Sequence, residues 1–311
     1  MSRSPFTPKP TVMQSSQFTR RQFLRNTVIS VAASSALHVL HAATRVPAPI
    51  WAIGCLNRPW VKWSADEMLD GVKEAGYRLV GLQTPTAADP FVGATAKPEY
   101  LAALKQKIAA RGLTATMGRL RTLDSADFEA ATADIRIQVE NAGVLGLKTL
   151  INTGTGKPEL YKAWYRLMAY AAAYTADHGI KMVTKPHGGV NAAADELLAC
   201  IEAVKHPNFG IWYDAGNIIY YTGKDPLAEL EPILPHVTAF TAKDCAAKGS
   251  DVMIQFGEGK VDFVGIFRRL KKAGFNGPIM VESGAIGATA AETTANARAN
   301  RIFLEKAIAK I

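Results

Sequence analysis

Polar and ionisable side chains follow several short apolar segments in the second half of the chain. Each stands directly after the last apolar residue of a segment or a few positions beyond it. An ionisable group in such a place is costly to bury unless it is paired, so a group of them indicates a site that transfers protons or binds a polar substrate. These residues are Asn152, Lys185, His187, Asp214, Asn217, Lys243, Asp244 and Glu282.

Several of these residues also have a purely structural interpretation, which the sequence leaves open. His187 could cap a helix or satisfy a loop carbonyl, and Asp214 could form a turn. Lys243 and Asp244 could form a local ion pair that touches no ligand. Arg119 and Arg121, after the third apolar segment, could bind an anionic substrate group or remain solvated.

The elements that must position these residues alternate between strand and helix eight times. Residues 64–75, 160–178 and 263–273 have the 3.6-residue apolar spacing of helices, and Ser64 with Glu67 predicts a capping box at the start of the first of them. The predicted strands are residues 50–54, 79–82, 113–117, 149–152, 181–184, 210–213, 238–241 and 279–281.

Eight strand–helix units predict an α/β fold, a (β/α)8 TIM barrel forming a single domain over residues 44–311. A doubly wound sheet is the competing architecture, but the glycines at 154–157 and 257–260 fit neither a dinucleotide fingerprint nor a phosphate loop. In a TIM barrel the carboxyl ends of all strands meet at one face, so the candidate residues would share one mouth.

Residues 1–43 have the composition of an export signal. They contain five Lys and Arg residues and no acidic residue, so more than half of the formal net charge of +9 lies there. Arg20 and Arg21 resemble the twin-arginine motif, and an apolar stretch with small residues at its end follows. We predict a signal peptide that uses the twin-arginine export machinery, and a periplasmic or secreted location. A basic tail or amphipathic anchor is the alternative.

The rest of the chain excludes several classes of protein. No later segment is long and apolar enough to span a bilayer, so no stable membrane anchor is expected. The remaining charge is nearly balanced and no basic patch with interleaved aromatics occurs, which argues against nucleic acid as a partner. Cys55, Cys200 and Cys245 form no CxxC pair, and we expect buried thiols rather than a disulfide framework.

These motifs together resemble the sugar isomerase/epimerase superfamily with the xylose-isomerase-like TIM barrel, over essentially the whole chain after residue 43. The resemblance implies a barrel fold and a small-molecule sugar or glycoside as the partner. The segments that carry it are His206–Gly210, Asp214–Asn217, Lys243–Asp244, Phe256–Phe263 and Val281–Ser283.

The resemblance also implies one divalent metal, held by Glu, Asp, His and Glu after strands five to eight. Asp214 and Glu282 match two of these positions, whereas Lys185 and Thr241 occupy the other two. A lysine is repelled by a divalent cation, and threonine is a poor ligand for one. We therefore expect no cofactor and hypothesise that the Lys185 ammonium replaces the metal's charge. Binding of Mn, Mg or Zn by His187, Asp214 and Glu282, with or without Asp244, is the fallback.

The resemblance implies proton transfer next to a carbonyl, as in an isomerase or epimerase. Glu282 would be the general base, Lys185 would donate a hydrogen bond to the developing oxyanion, and His187 would shuttle the second proton. Two alternatives stay open: a lyase acting on keto-sugars or glycosides, and a non-catalytic sugar-binding barrel. The substrate-binding candidates are Asn152, Asn217, Lys243 and Asp244.

Overall fold

Eight parallel strands close into a barrel in the computed structural model, which describes residues 50–123 and 127–311. Each strand pairs with its neighbours in chain order, and the last closes onto the first through the Ile53–Ile279 register. The predicted (β/α)8 TIM barrel is thereby confirmed. The strands are β1 (Ile53–Leu56), β2 (Leu79–Leu82), β3 (Thr114–Arg119), β4 (Thr149–Asn152), β5 (Lys181–Thr184), β6 (Phe209–Asp214), β7 (Val237–Ala242) and β8 (Ile279–Val281).

Helices connect the strands and cover the outside of the barrel. Short 3-10 segments at Arg58–Trp60, Pro158–Leu160, Gly189–Asn191 and Glu231–His236 lie between them. Within the described residues the α-helices are α1 (Ala65–Glu74), α2 (Pro98–Ala110), α3 (Phe128–Leu145), α4 (Tyr161–Asp177), α5 (Ala194–Val204), α6 (Ala215–Thr222), α7 (Pro226–Leu230), α8 (Phe263–Lys272) and α9 (Ala290–Ile308).

Local chemistry sets where α1 begins. The backbone N–H of Glu67 donates to Ser64 Oγ, and the N–H of Ser64 donates to Glu67 Oε2 at 3.0 Å. This reciprocal pair satisfies two backbone donors that the first turn leaves without helical partners. The predicted capping box is confirmed.

The barrel interior is filled with side chains, so it offers no channel. Side chains from all eight strands meet there, and the close approach leaves no room for a side chain at some positions. A Cβ at Gly54 would lie 2.4 Å from Met280 Sδ. The packed interior confines chemistry to the ends of the strands. Its fully buried members are Leu56, Met117, Ile151, Val183, Trp212, Ala239 and Met280.

The strand bounds differ from the predicted ones most clearly at the start. The sequence predicts a strand at 50–54, but β1 begins at Ile53. Trp51 is buried outside the sheet, where its ring contacts Phe267 and its Nε1 donates to the Phe275 carbonyl at 2.7 Å. Burial of this apolar residue therefore comes from packing against α8 and the segment that follows it, and not from pairing in the sheet.

Several predictions concern the N-terminus or the whole chain. The twin-arginine signal peptide and the boundary after residue 43 lie outside the described residues. Across the described ranges, no helix is both long and apolar enough to cross a membrane. Cys55, Cys200 and Cys245 are all buried and unpaired, as expected.

Candidate active site at the barrel mouth

The mouth of the barrel collects side chains from strands β1, β5, β6, β7 and β8. β6 ends at Asp214, while Lys185, Lys243 and Glu282 directly follow β5, β7 and β8. All four are almost completely buried, which is rare for charged residues unless they are paired. Asn217, from the first turn of α6, joins them.

Lys185 bridges the two carboxylates that the sequence resemblance singles out. Its Nζ lies 2.8 Å from Asp214 Oδ2 and 2.5 Å from Glu282 Oε2, with no exposed surface. Burial alone would lower the pKa of Lys185, but the two carboxylates more than offset this and hold that pKa above its ordinary value. Lys185 is therefore held as an ammonium between two carboxyl groups.

Lys243 contacts the same pair from the other side. Its Nζ lies 2.7 Å from Glu282 Oε1, 3.1 Å from Asp214 Oδ2 and 2.9 Å from Asn217 Oδ1. Burial lowers the pKa of Lys243, and the charge of Lys185 acts in the same direction although the carboxylates oppose both. The predicted contact of Lys243 with the site is therefore present, as part of an ionic cluster.

Arg58 completes the cluster and was not predicted from the sequence. Its Nη1 donates to Glu282 Oε1 at 2.9 Å, and its side chain is about one-third exposed. It lies two residues after β1, at the start of the 3-10 segment Arg58–Trp60, so a search of the first few residues after the first strand would have included it. Three cations thus face two carboxylates, and the cluster carries a net positive charge.

Glu282 is held in its ionised form by this arrangement. Both of its oxygens accept hydrogen bonds, Oε1 from Arg58 and Lys243 and Oε2 from Lys185. Burial would raise the pKa of Glu282, but the three neighbouring cations hold it well below the usual value. Such a carboxylate is a weak base, which argues against the predicted role of Glu282 as the general base.

Asp214 both caps a helix and contacts the ionic cluster. Its Oδ1 accepts the backbone N–H of Asn217 at 2.9 Å and so caps α6, while Oδ2 faces the two lysines. Asn217 in turn donates from Nδ2 to the Pro186 carbonyl at 2.6 Å. The start of α6 therefore fixes both side chains against the segment after β5.

His187 lies at the rim of the mouth beside Tyr221. The Tyr221 hydroxyl is 3.1 Å from either ring nitrogen, and part of the imidazole is open to solvent. Partial burial lowers the pKa of His187 to about 4, and the charges of Lys185 and Lys243 act in the same direction. His187 is therefore neutral near pH 7. Together with Arg58, Lys243 and Tyr220 it lines a cavity of about 290 Å³.

Two of the predicted substrate-binding residues are turned toward loops instead. Asn152 Oδ1 accepts from the Trp164 indole and the Gly154 amide, and its Nδ2 donates to the Leu120 carbonyl. Asp244 accepts four backbone N–H groups, from Cys245, Gly257, Gly259 and Val261. These contacts fix loop conformation, and they give no support to a substrate contact by either residue.

The side chains at the mouth do not fit a divalent metal. Lys185 Nζ occupies the place between Asp214 and Glu282, and a metal there would have to displace a bonded ammonium. Thr241 supplies only a hydroxyl, which is buried and has no hydrogen-bond partner among the described residues. Nowhere in the described ranges do three His, Cys, Asp or Glu side chains gather as metal ligands would. The fallback of a metal on His187, Asp214, Glu282 and Asp244 is therefore not supported.

A closed parallel barrel with ionisable groups at its C-terminal mouth defines a TIM-barrel protein with an enzyme-like site. The chain belongs to the xylose isomerase-like TIM barrel family, whose model matches residues 69–307.

Curated relatives match a smaller part of the chain. L-ribulose-5-phosphate 3-epimerase UlaE of Escherichia coli K12 is 31% identical over 91 residues, and that of Salmonella typhi is 34% identical over 79 residues. These segments cover 29% and 25% of this chain and 31% and 27% of the two relatives. The chain therefore aligns with less than a third of either enzyme.

Solved structures match over most of the chain. D-psicose 3-epimerase of Clostridium cellulolyticum H10, solved with D-tagatose, superposes with a TM-score of 0.68 at 15% identity, over 83% of this chain and 99% of that one. A xylose isomerase-like barrel of Mycobacterium smegmatis, solved with magnesium, gives 0.68 at 15%, over 85% and 99%. A xylose isomerase domain protein of Planctomyces limnophilus gives 0.66 at 21%, over 85% and 100%. At these identities the likeness establishes the fold.

Proposed function

We propose that the protein is an isomerase- or epimerase-like enzyme that moves a proton next to the carbonyl of a sugar or sugar derivative without a divalent metal. The observation that carries this proposal is the position of Lys185 Nζ, 2.8 Å and 2.5 Å from Asp214 and Glu282. It supplies a fixed positive charge between the two carboxylates that match the family's metal-ligand positions. The epimerases among the relatives support the reaction class.

In this proposal Arg58 receives the negative charge that develops on the carbonyl oxygen. Its guanidinium lines the cavity, is partly exposed and donates one hydrogen bond to Glu282. A guanidinium carries five N–H donors, so others remain for an oxyanion. The buried Lys185 and Lys243 keep Glu282 ionised and so hold Arg58 in place. Preorganised donors of this kind commonly lower a barrier by several kcal/mol.

His187 is the general base that the geometry favours. It lines the same cavity as Arg58 and is neutral at neutral pH, and its hydrogen-bond partner among the described residues is the Tyr221 hydroxyl, whereas Glu282 is bonded to three cations. The Tyr221 hydroxyl beside it orients the ring and can carry the proton onward. Return of the proton to carbon gives epimerisation or isomerisation, and loss of a leaving group instead gives the lyase alternative.

A non-catalytic sugar-binding barrel is the second candidate. The observation that favours it is the complete engagement of Glu282 by three cations, which removes one of the two glutamates expected of the family reaction. The two candidates differ at His187, because a binding protein does not need its basic nitrogen.

The test follows carbon-bound hydrogen in D2O. Protein freed of metal with EDTA is incubated with a panel of ketoses, aldoses and keto-glycosides, and deuterium incorporation is read by NMR. We expect incorporation next to a carbonyl with the wild type, and its loss in His187→Gln. Sugar binding without exchange across the panel supports the binding protein instead. Exchange that disappears with EDTA and returns with Mn2+ overturns the metal-free proposal.

The metal content of the protein, measured by plasma mass spectrometry, is a second test of the metal-free proposal. Lys185→Glu restores a carboxylate at the family's ligand position, and we expect it to bind Mn2+ or Zn2+ while the wild type, exposed to the same metals, stays free of both. A near-stoichiometric metal in the wild type contradicts the proposal.

A further inference from the structure

A second cavity opens on the same face of the barrel, beyond the ends of β2 and β3. Its volume is about 400 Å³, and residues 85–95, after β2, form one wall. Its polar lining consists largely of Gln83, Arg119 and Arg121, with Asp134 and Gln138 at one side. None of these residues belongs to the ionic cluster around Glu282.

Arg119, the last residue of β3, is a partly buried cation without a carboxylate partner among the described residues. Its Nη2 donates to Thr153 Oγ1 at 3.0 Å, which leaves most of its N–H groups free. Burial lowers its pKa, and so does the charge of Arg121, whereas Glu282 and Tyr221 raise it. Charged groups of both cavities, Arg121 in one and Glu282 beside the other, therefore act on the pKa of Arg119.

Gln83 adds an oriented acceptor to the same cavity. Its backbone N–H donates to Asn57 Oδ1 at 2.9 Å, which fixes the chain beside Arg58. The side chain is only 5% exposed, and its Oε1 accepts no hydrogen bond from the described residues. A buried amide oxygen without a donor costs free energy, which a ligand hydroxyl would recover.

The charge of the lining favours an anion. Two guanidinium groups face one carboxylate, and Asp134 already accepts from Gln138 Nε2 at 2.5 Å. The neighbouring cluster around Glu282 also contains more cations than carboxylates. Guanidinium groups bind carboxylates and phosphates through paired N–H donors.

We propose that this cavity binds an anionic group of the substrate, a carboxylate or a phosphate, through Arg119 and Arg121, while Gln83 accepts a neighbouring hydroxyl. The inference rests on the proposed function for the other end of the substrate, whose carbonyl lies in the cavity of Arg58 and His187. The substrate is then an acidic sugar or a sugar phosphate.

The experiment measures binding, so it needs no turnover. Dissociation constants for D-glucuronate, D-glucose 6-phosphate and neutral D-glucose are determined by ligand-observed NMR on the full barrel. We expect at least one anionic sugar to bind about tenfold more tightly than D-glucose, because one such contact contributes on the order of 1.4 kcal/mol. Preference for D-glucuronate identifies a carboxylate as the ligand group, and preference for D-glucose 6-phosphate identifies a phosphate.

Arg119→Met should remove most of this preference and leave the affinity for D-glucose unchanged. Arg78→Met is the matched control, because Arg78 is exposed and precedes β2 at the opposite face of the barrel. Arg121→Met, at an exposed position, provides a second variant that should fold normally and lose part of the preference. Equal affinity for anionic and neutral sugars overturns the inference, and so does an equal effect of Arg119→Met and Arg78→Met.

The two proposals fail separately in this design. If anionic sugars bind through Arg119 but no deuterium exchange occurs, the subsite stands and the barrel is a binding protein. If exchange occurs on neutral ketoses alone and Arg119→Met has no effect, the reaction stands and the anionic subsite is wrong.

Discussion

Lys185 determines the charge balance of the mouth at the scale of single residues. Removing its ammonium leaves buried Glu282 Oε2 without a hydrogen-bond donor among the described residues, and leaves Asp214 Oδ2 with the Lys243 contact at 3.1 Å. Breaking one partner of a buried ionic cluster is strongly destabilising, because the remaining charge cannot regain its hydration. The cluster is therefore a structural feature of the barrel as well as a candidate site.

We expect Lys185→Met to lower the free energy of unfolding by about 3 kcal/mol at pH 7. Urea denaturation of the two proteins measures the difference. Lys181→Met, at the first residue of β5, is the control, since the Lys181 ammonium donates to the Pro207 carbonyl and forms no ion pair with the described residues. Equal losses in both variants would show that the cluster adds nothing to stability.

The stability difference between the wild type and Lys185→Met should depend on pH. Ionised Glu282 has a folded-state pKa well below its unfolded value near 4.5, so its ion pairs stabilise the wild type above that value. The stabilisation is lost as the pH falls through the folded-state pKa of Glu282. The difference in free energy of unfolding between the wild type and Lys185→Met should therefore decrease over that pH range. Denaturation curves at pH 7, 5 and 3 test this dependence.

His187 should titrate far below ordinary histidines. Partial burial and the two lysines lower its pKa to about 4, so its ring stays neutral down to that pH. We expect its imidazole 13C–1H signal, assigned with His187→Gln, to move with a midpoint near 4. A midpoint near 6.5 would mean that neither burial nor the lysine charges act on the ring.

At the scale of elements, Asp244 organises the loop between β7 and α8. Four backbone N–H groups point at its carboxylate, and Gly259 passes so close that a Cβ there would lie 2.1 Å from Asp244 Oδ1. The loop therefore needs glycine at 259 for space. The glycine-containing segment at 257–260, which fits no nucleotide motif, has this structural explanation.

We expect Gly259→Ala to destabilise the protein by about 2 kcal/mol, because the carboxylate or the loop must move aside. Gly156→Ala is the matched control, since a Cβ at that position meets nothing within 4 Å and its φ is not positive. Thermal unfolding measures both. Similar melting temperatures for the two variants would show that the Asp244 loop accommodates the added Cβ without loss of stability.

Sequence periodicity predicted the elements better than the side-chain directions within them. The strands near residues 79, 149, 181 and 279 have the predicted bounds, because each is a short buried segment between polar residues. Asn152 and Asp244 were predicted to face the substrate. Asp244 instead accepts backbone N–H groups of its own loop, and Asn152 bonds to Gly154, Leu120 and Trp164. That choice depends on contacts between distant segments, such as Asn152 with Trp164, which spacing alone does not encode.

At the scale of the whole molecule, the export signal remains a prediction. Arg20 and Arg21 lie outside the described residues, and we propose that they direct the folded protein to the periplasm. The buried, unpaired thiols of Cys55, Cys200 and Cys245 are compatible with an oxidising compartment because folding shields them from oxidants.

The double substitution Arg20→Lys with Arg21→Lys should shift the full-length protein from the periplasmic to the cytoplasmic fraction. Fractionation of a bacterium with an intact twin-arginine pathway, followed by immunoblotting, measures the distribution. Lys9→Arg provides a control with an equally conservative change. A periplasmic level unaffected by the double substitution would contradict the proposed route.

The lysine between Asp214 and Glu282 also bears on how the mouth keeps its positive charge. A lysine charge is part of the polypeptide, so unlike a bound metal ion it does not depend on which ions surround the protein. Glutamate at 185 would instead set three acids against two remaining cations, and the site would then need a bound metal to balance them. With lysine there, a medium stripped of metal ions leaves the charge of the mouth unchanged.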